Sequence, residues 1–305
     1  MAIAQLLPAH DDPAYARGVA LVLLAGVFWS IAGLVVRLID DAGEWQILFY
    51  RSVTLIAVLV AYIALRNRGA VLPAFRAAGR KAALAGFFLS IAFTCWIFAM
   101  THTTIANALF VLSAAPFIAA LLARVVLGEG VRRITLICMA VSMLGIGVMV
   151  TEGALLGTLS GNLFALGAAA GFAAFSVSLR VGRAVDMTPA VCWAGLWAGL
   201  MAAAMIGLSA RGFAISAHDF ALCALLGCVQ VGFGLILYTI GSRHVPAAEL
   251  TLLSLTEVVL GPILVWLGVG EVPGVYTMAG GAIVLGAITA QALSGIRKRP
   301  PVGVV

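Results

Sequence analysis

Between Ala82 and Ala123 the chain carries no Asp, Glu, Lys or Arg. A water-facing surface cannot be built from such a stretch, but lipid accepts it, since a spanning helix needs about 20 mostly apolar residues to cross a hydrocarbon core roughly 30 Å thick. The stretch is too long for one crossing. The polar Thr101-His102-Thr103-Thr104 divides it into two helices joined by a tight hairpin. The same reading gives ten apolar runs, at 18–38, 46–65, 82–101, 104–127, 133–151, 161–180, 189–210, 219–241, 246–268 and 273–294. Composition agrees: 63% of residues are hydrophobic and only 10% charged, against roughly a quarter charged in soluble domains. The fold class expected is an all-α membrane protein of ten transmembrane helices. Its surface partner is the lipid bilayer.

Connections between the runs are short. The longest, Arg66 to Lys81, holds five basic side chains and no room for an extramembrane domain, so any function belongs to the bundle. Met1 to Arg17 lacks a basic stretch ahead of the first apolar run and reads as a tail rather than a removable signal peptide.

The net charge of +6 does not point to nucleic acid, because the basic residues lie between apolar runs instead of clustering on one face. They set orientation. With the N-terminus inside, the inner segments hold Arg17; Arg66, Arg68, Arg76, Arg80 and Lys81; Arg124, Arg132 and Arg133; Arg180 and Arg183; Arg243; and Arg297, Lys298 and Arg299. That is 15 of the 18, leaving only Arg37, Arg51 and Arg211 for the other side. Cytoplasmic loops are enriched in Lys and Arg, so both termini are expected in the cytoplasm of a bacterial-type inner membrane.

Sliding the chain against itself by 142 residues superposes ANALFVLSAAPFIAALLARVVLGE (106–129) on AELTLLSLTEVVLGPILVWLGVGE (248–271) without a gap. The same offset places His102 on His244 and Trp96 on Tyr238, and an offset of 143 places Gly18 and Arg37 on Gly161 and Arg180. The expected organisation is a tail (1–17), a first five-helix repeat (18–151), an outer linker (152–160), a second repeat (161–294) and a basic tail (295–305). Five is odd, so the second repeat enters the membrane from the opposite side and the halves are inverted. Inverted repeats are the recurring construction of secondary transporters, in which a site between the halves opens to one face and then the other.

These paired motifs resemble the drug/metabolite transporter superfamily in its EamA-type ten-helix arrangement. The resemblance runs from about residue 18 to 294. It is carried by Leu127-Gly128-Glu129 and Val269-Gly270-Glu271, by Ala114-Ala115-Pro116, by Ser254-Leu255-Thr256-Glu257, and by Arg51 and Trp29. One departure stands out: the family often has proline directly after the helix 9 glutamate, where this chain has Val258, and its proline comes at Pro262. The resemblance implies an export-type carrier of small organic solutes, with amino-acid exporters among the nearest in pattern.

Ionisable residues inside spans are costly and mark pathways or paired sites, which singles out Arg51, Glu249 and Glu257. Glu249 and Glu257 lie a little over two helical turns apart, on a broad face shared with Ser254 and Thr256. A carboxylate there contacts a substrate ammonium or carries a coupling proton; the alternative is a structural ion pair, Arg51 with Glu257, locking helices 2 and 9. Trp96 and Tyr238 are repeat-equivalent candidates for aromatic walls, with Trp29, Tyr50 and Asn107 as further lining residues and Trp193 and Gln230 behind them. Pro116 and Pro262, mid-run in the related helices 4 and 9, are candidate hinges. Glu129 and Glu271 sit beside glycines suited to a left-handed turn and read as helix-end caps. The five cysteines (Cys95, Cys138, Cys192, Cys223, Cys228) show no CxxC or Cys/His spacing, so neither metal nor disulfide is expected. No Walker A loop or HExxH pattern is present, so no catalytic residues and no cofactor are assigned. Proton exchange and facilitated diffusion both remain open as energy sources.

Overall fold

The structure, a computed structural model, describes residues 13–128, 133–155, 159–181, 187–209, 211–241 and 247–296. Among these every regular element is helical, as backbone groups facing lipid require. In chain order they are α1 (Pro13–Arg37), α2 (Glu44–Arg66), α3 (Val71–His102), α4 (Ile105–Leu112), α5 (Ala115–Leu127), α6 (Arg133–Leu155), α7 (Leu159–Val181), α8 (Thr188–Leu208), α9 (Ala217–Ala224), a π-helical segment (Leu225–Phe233), α10 (Gly234–Gly241), α11 (Ala247–Val269) and α12 (Val275–Ile296). Seven stretches are long and apolar enough to cross a membrane, and shorter apolar helices at Arg133–Met149, Thr256–Val269 and Val275–Ala290 fill the other three positions.

Two crossings are composite. Span four is α4 plus α5, interrupted at Ser113 and Ala114, and span eight is α9, the π segment and α10 in succession. The long basic connection also differs from expectation. Helix α3 starts at Val71, and the backbone at Gly79 (φ 58°, ψ −156°) separates a short leading helix from the crossing proper. Gly79 accepts this positive φ because it has no Cβ, so Arg80 and Lys81 begin the crossing instead of ending a loop.

Neighbouring helices reveal the duplication. Span one packs on span nine, and span six packs on span four; span three packs on seven, and eight on two; span three packs on six, and eight on one. Each pair is converted into its mate by exchanging the repeats, while five with ten and two with seven pair across the axis itself. The repeats are therefore interleaved around an approximate two-fold, with their principal helix contacts made across the repeat boundary. Close approach depends on missing side chains at the crossings. A Cβ added at Gly86 would stand 2.6 Å from the Ala190 carbonyl oxygen, one at Gly171 2.8 Å from the Ala92 nitrogen, and one at Gly145 2.7 Å from the Gly280 carbonyl oxygen. Small residues let membrane helices gain dispersion contact where no hydrophobic drive exists between them.

Candidate functional site

Arg51 lies seven residues into α2, about 10 Å along the helix from its start. It is 3% exposed. Its guanidinium carbon sits 4.5 Å from the ring centre of Phe93 and 5.1 Å from that of Trp96, residues three apart on α3 and thus on one face. From the second repeat, Cys223 of α9 is within electrostatic reach, and Gly227 of the π segment packs directly on the Arg51 carbonyl and the Thr54 hydroxyl. No carboxylate among the described residues lies within ion-pair distance of Arg51, and its Nε and Nη1 have no hydrogen-bond partner. Burying an ion costs several kcal/mol after relaxation, while cation–π contact returns about 0.5–2 kcal/mol. These neighbours leave that cation under-compensated.

Glu257 sits in α11, half-buried, and makes no hydrogen bond or ion pair with the described residues. The Arg51–Glu257 pairing considered from sequence is not formed in this conformation. Next to Glu257, Thr256 packs against Gly26 of α1, where an added Cβ would meet the Thr256 Cβ at 3.0 Å. Tyr238 of α10 meets Trp29 of α1 with ring centres 5.2 Å apart and planes inclined by 40°. The repeat-equivalent aromatics thus have different partners: Trp96 faces Arg51, and Tyr238 faces Trp29. Ser254 and Glu249 belong to the α11 helix, but their side chains lie outside the described residues, as does all of Glu129.

Three other sequence candidates are held in structural contacts. Asn107, 3% exposed, donates to the Thr103 hydroxyl at 3.0 Å and to Asn162 Oδ1, tying the α3–α4 turn to α7. Tyr50 donates through its hydroxyl to the Phe213 carbonyl at 2.6 Å, holding the segment before α9. Trp193 stacks on Trp197 with ring centres 6.0 Å apart. Pro116 is exposed just after the break in span four, where its lost donor costs little, whereas Pro262 lies inside an uninterrupted α11. Gln230, in the π segment, is 5% exposed with its Oε1 unpartnered.

The sparsely charged end of the bundle is closed by a knot that sequence reasoning did not assemble. Arg37 Nε donates to Glu271 Oε2 at 2.6 Å, and its Nη1 and Nη2 donate at 2.8 Å to the Met100 and Thr103 carbonyls. Glu271 Oε1 accepts the Ile105 amide at 2.7 Å. Glu271 is a cap, as expected, but of α4 and not of its own helix. Both glycines of the paired motifs adopt left-handed turns, Gly128 at φ 68° and Gly270 at φ 72°. Beside this knot Asp219, fully buried, accepts the amides of Asp40, Asp41 and Ala42. With His218 and Asp40 it gathers three ligand-type atoms within 4.8 Å, yet its oxygens are already engaged by the loop.

The sequence model of the EamA-like transporter family matches residues 16–151 and 159–290, nearly the whole chain in two copies. The chain belongs to the EamA-like transporter family. It is accordingly a multi-pass integral membrane protein from a family of transporters, with a small-molecule substrate and a lipid surround. A solved crystal structure of a protein superposes with a TM-score of 0.62 over 92% of this EamA-like chain and 98% of its own, at 17% identity, a likeness of fold. No curated protein matches significantly.

Within the EamA-like frame, the residues missed from sequence are Phe93, Asn162, the Arg37–Glu271 knot and the π segment. A signal existed for two of them. Phe93 lies one helical turn from Trp96, and Arg37 and Glu271 are oppositely charged span ends that each recur in the repeat, at Arg180 and Glu129. Nothing in Leu225–Phe233 distinguishes a π-helix from an α-helix by pattern.

Proposed function

We propose that this EamA-like transporter exports small organic metabolites, with amino acids as the favoured cargo, by alternating access at a site near mid-membrane between the two repeats. The observation that carries the reading is Glu257: a half-buried carboxylate inside a spanning helix, with no described partner, next to a residue packed across the repeat boundary. Intramembrane acids of this kind serve pathways or proton relays, because a purely structural one would be paired. Trp96 and Tyr238 supply aromatic surface on the two symmetry-related crossings, suited to an apolar side chain. Glu257, with Glu249 and Ser254 of the same helix, supplies polar contacts to an ammonium or a route for a coupling proton. Pro116 and Pro262 are the candidate hinges of spans four and nine, the first just after the break in span four and the second inside continuous α11. The setting is a bacterial-type inner membrane, with both termini cytoplasmic and the repeats at 18–151 and 161–294.

The test is exchange of labelled amino acids in proteoliposomes, across small, aliphatic and aromatic side chains, with and without an imposed pH gradient. Saturable exchange supports the carrier. Flux that does not respond to unlabelled solute on the far side identifies an uncoupled channel instead, and no flux of any amino acid in folded protein removes the cargo assignment. For coupling, Glu257→Gln is expected to abolish stimulation by the gradient while downhill exchange persists; gradient-driven transport retained in that variant excludes Glu257 as the proton site.

A further inference from the structure

We infer that Arg51 is the anion anchor of the transport site, and that the solute carried bears a carboxylate. This rests on the transport reading and narrows it to a substrate class.

Three observations converge on the same spot. The first is the orphaned guanidinium, buried to 3% exposure with Nε and Nη1 free, although its two aromatic neighbours hold it in place. An arginine whose function was to lock helices would spend those donors on a carboxylate or on carbonyls, as Arg37 does with three acceptors. Arg51 instead leaves Nε and Nη1 without a partner among the described residues, and a carboxylate is a strong acceptor for guanidinium donors.

The second is position. Arg51 lies seven residues into α2, Trp96 six residues from the end of α3, and Cys223 six residues from the start of α9. At 1.5 Å per residue all three stand about 9–10 Å from the same end of the bundle, inside the hydrocarbon depth. Helices α2 and α3 belong to the first repeat and α9 to the second, so the guanidinium is at the boundary whose two sides must move for a site to open alternately.

The third is the π segment at Leu225–Phe233, which begins two residues after Cys223 and lays Gly227 on the Arg51 backbone. Its repeat mate, the stretch 83–91 of α3, is regular α-helix. π-Helical turns collect at functional sites because the widened turn redirects side chains and loosens backbone pairing. Here the segment also carries Gln230, buried, with a free Oε1. Unused donors on α2 and an unused acceptor on the segment packed against it are the complement of a solute with a carboxylate and an adjacent N–H. Phe93 and Trp96 exclude water around the charge, which strengthens a carboxylate contact relative to an exposed one.

The experiment compares solutes differing only in the carboxylate: labelled phenylalanine and leucine against their amides and against phenethylamine and isoamylamine. Proteoliposome exchange and the thermal shift in detergent are both read, for wild type, Arg51→Lys and Arg51→Gln. The expected wild-type preference for the acid over amide and amine is roughly 10- to 100-fold, the cost of leaving a buried donor unpaired. Arg51→Gln should erase that preference, while Arg51→Lys, which keeps the charge but loses the fork, should retain part of it. Exchange that ignores the carboxylate in wild type, or an acid preference unchanged in Arg51→Gln, overturns the inference and leaves the transporter reading intact. If wild type exchanges none of the panel, the cargo assignment fails, and the thermal shift alone decides on Arg51. A stabilisation by the acids that is absent in Arg51→Gln supports the anchor, and no stabilisation by any acid overturns it.

Discussion

Glu271→Gln tests the knot that closes the sparsely charged end. In the native arrangement Glu271 takes one charge-assisted hydrogen bond from Arg37 and one hydrogen bond from the Ile105 amide, while Arg37 reaches the carbonyls that end α3. Hydrogen bonds to charged groups contribute about 1.5–3 kcal/mol each. The side chains remain 25% and 20% exposed, so solvent screening reduces the net value of the ion pair to about 1 kcal/mol, or about 2 kcal/mol with the cap included. Glutamine keeps an acceptor for one of the two donors and loses the charge. If the knot must part in each cycle, its weakening shifts the closed-to-open balance at this end by about 5- to 30-fold. Amide hydrogen exchange in lipid nanodiscs should accelerate at the start of α4, from Ile105 onward, and not at the middle of α7. A double-mutant cycle with Arg37→Gln, read by unfolding, should return a coupling of about 1 kcal/mol. Unchanged exchange at Ile105, together with a coupling no larger than about 0.3 kcal/mol, would refute the assignment, since independent sites add to within that margin.

Three further outcomes follow from packing and hydrogen bonding. Gly280→Ala should lower stability by about 1–3 kcal/mol because the new methyl runs into the Gly145 carbonyl, whereas Gly286→Ala, with nothing within 4 Å, should be silent; thermal unfolding of the pair in one detergent decides it. Asp219→Ala removes the acceptor for three loop amides and should cost about 2–3 kcal/mol, with faster hydrogen exchange at 40–42 and none of that loss for Asp41→Ala. Gln230→Leu removes a buried amide whose Oε1 is unpartnered, so the fold should hold or gain about 1 kcal/mol while transport falls; equal loss of stability and transport would mean that the side chain supports the fold alone.

The architecture was legible because lipid imposes a pattern that sequence displays directly: apolar runs of fixed length and a duplication visible as an offset. The hairpin at Thr103–Thr104 and the left-handed Gly128 and Gly270 belong to this class, since local chemistry dictates each. Contacts between distant spans were less legible. Asn107 reads as a lining residue in the sequence, but a pattern within one span does not say which polar partner waits across the bundle, and Asn162 on α7 accepts its amide. Arg51 and Glu257 are oppositely charged residues inside described spans, so electrostatics suggests pairing; the structure instead gives each a separate environment, one aromatic and one half-buried. The helix ahead of Gly79 was hidden because a basic, proline-containing segment has the composition of a loop.

The two repeats share a sequence pattern yet are not folded alike, and the difference has a residue-level cause. Span four breaks at Ser113–Ala114, with Pro116 just inside α5; the offset of 142 carries these to Leu255–Thr256 and to Val258, where α11 runs through unbroken. A proline removes a donor and crowds the carbonyl four residues back; α11 has Val258 at the position equivalent to Pro116 and carries Pro262 without interruption, so the register of the proline, not its presence, separates the two spans. Exchange of repeat conformations would move the break to Leu255–Thr256, directly beside Glu257, and so change that carboxylate's surroundings at each half-cycle. Val258→Pro should therefore bias the protein toward the alternative state. Hydrogen exchange at 255–257 should rise, and the amides at 113–117 should become better protected as span four straightens. If 255–257 opens while 113–117 stays as it was, the two breaks are independent kinks and the repeats do not trade conformations through them.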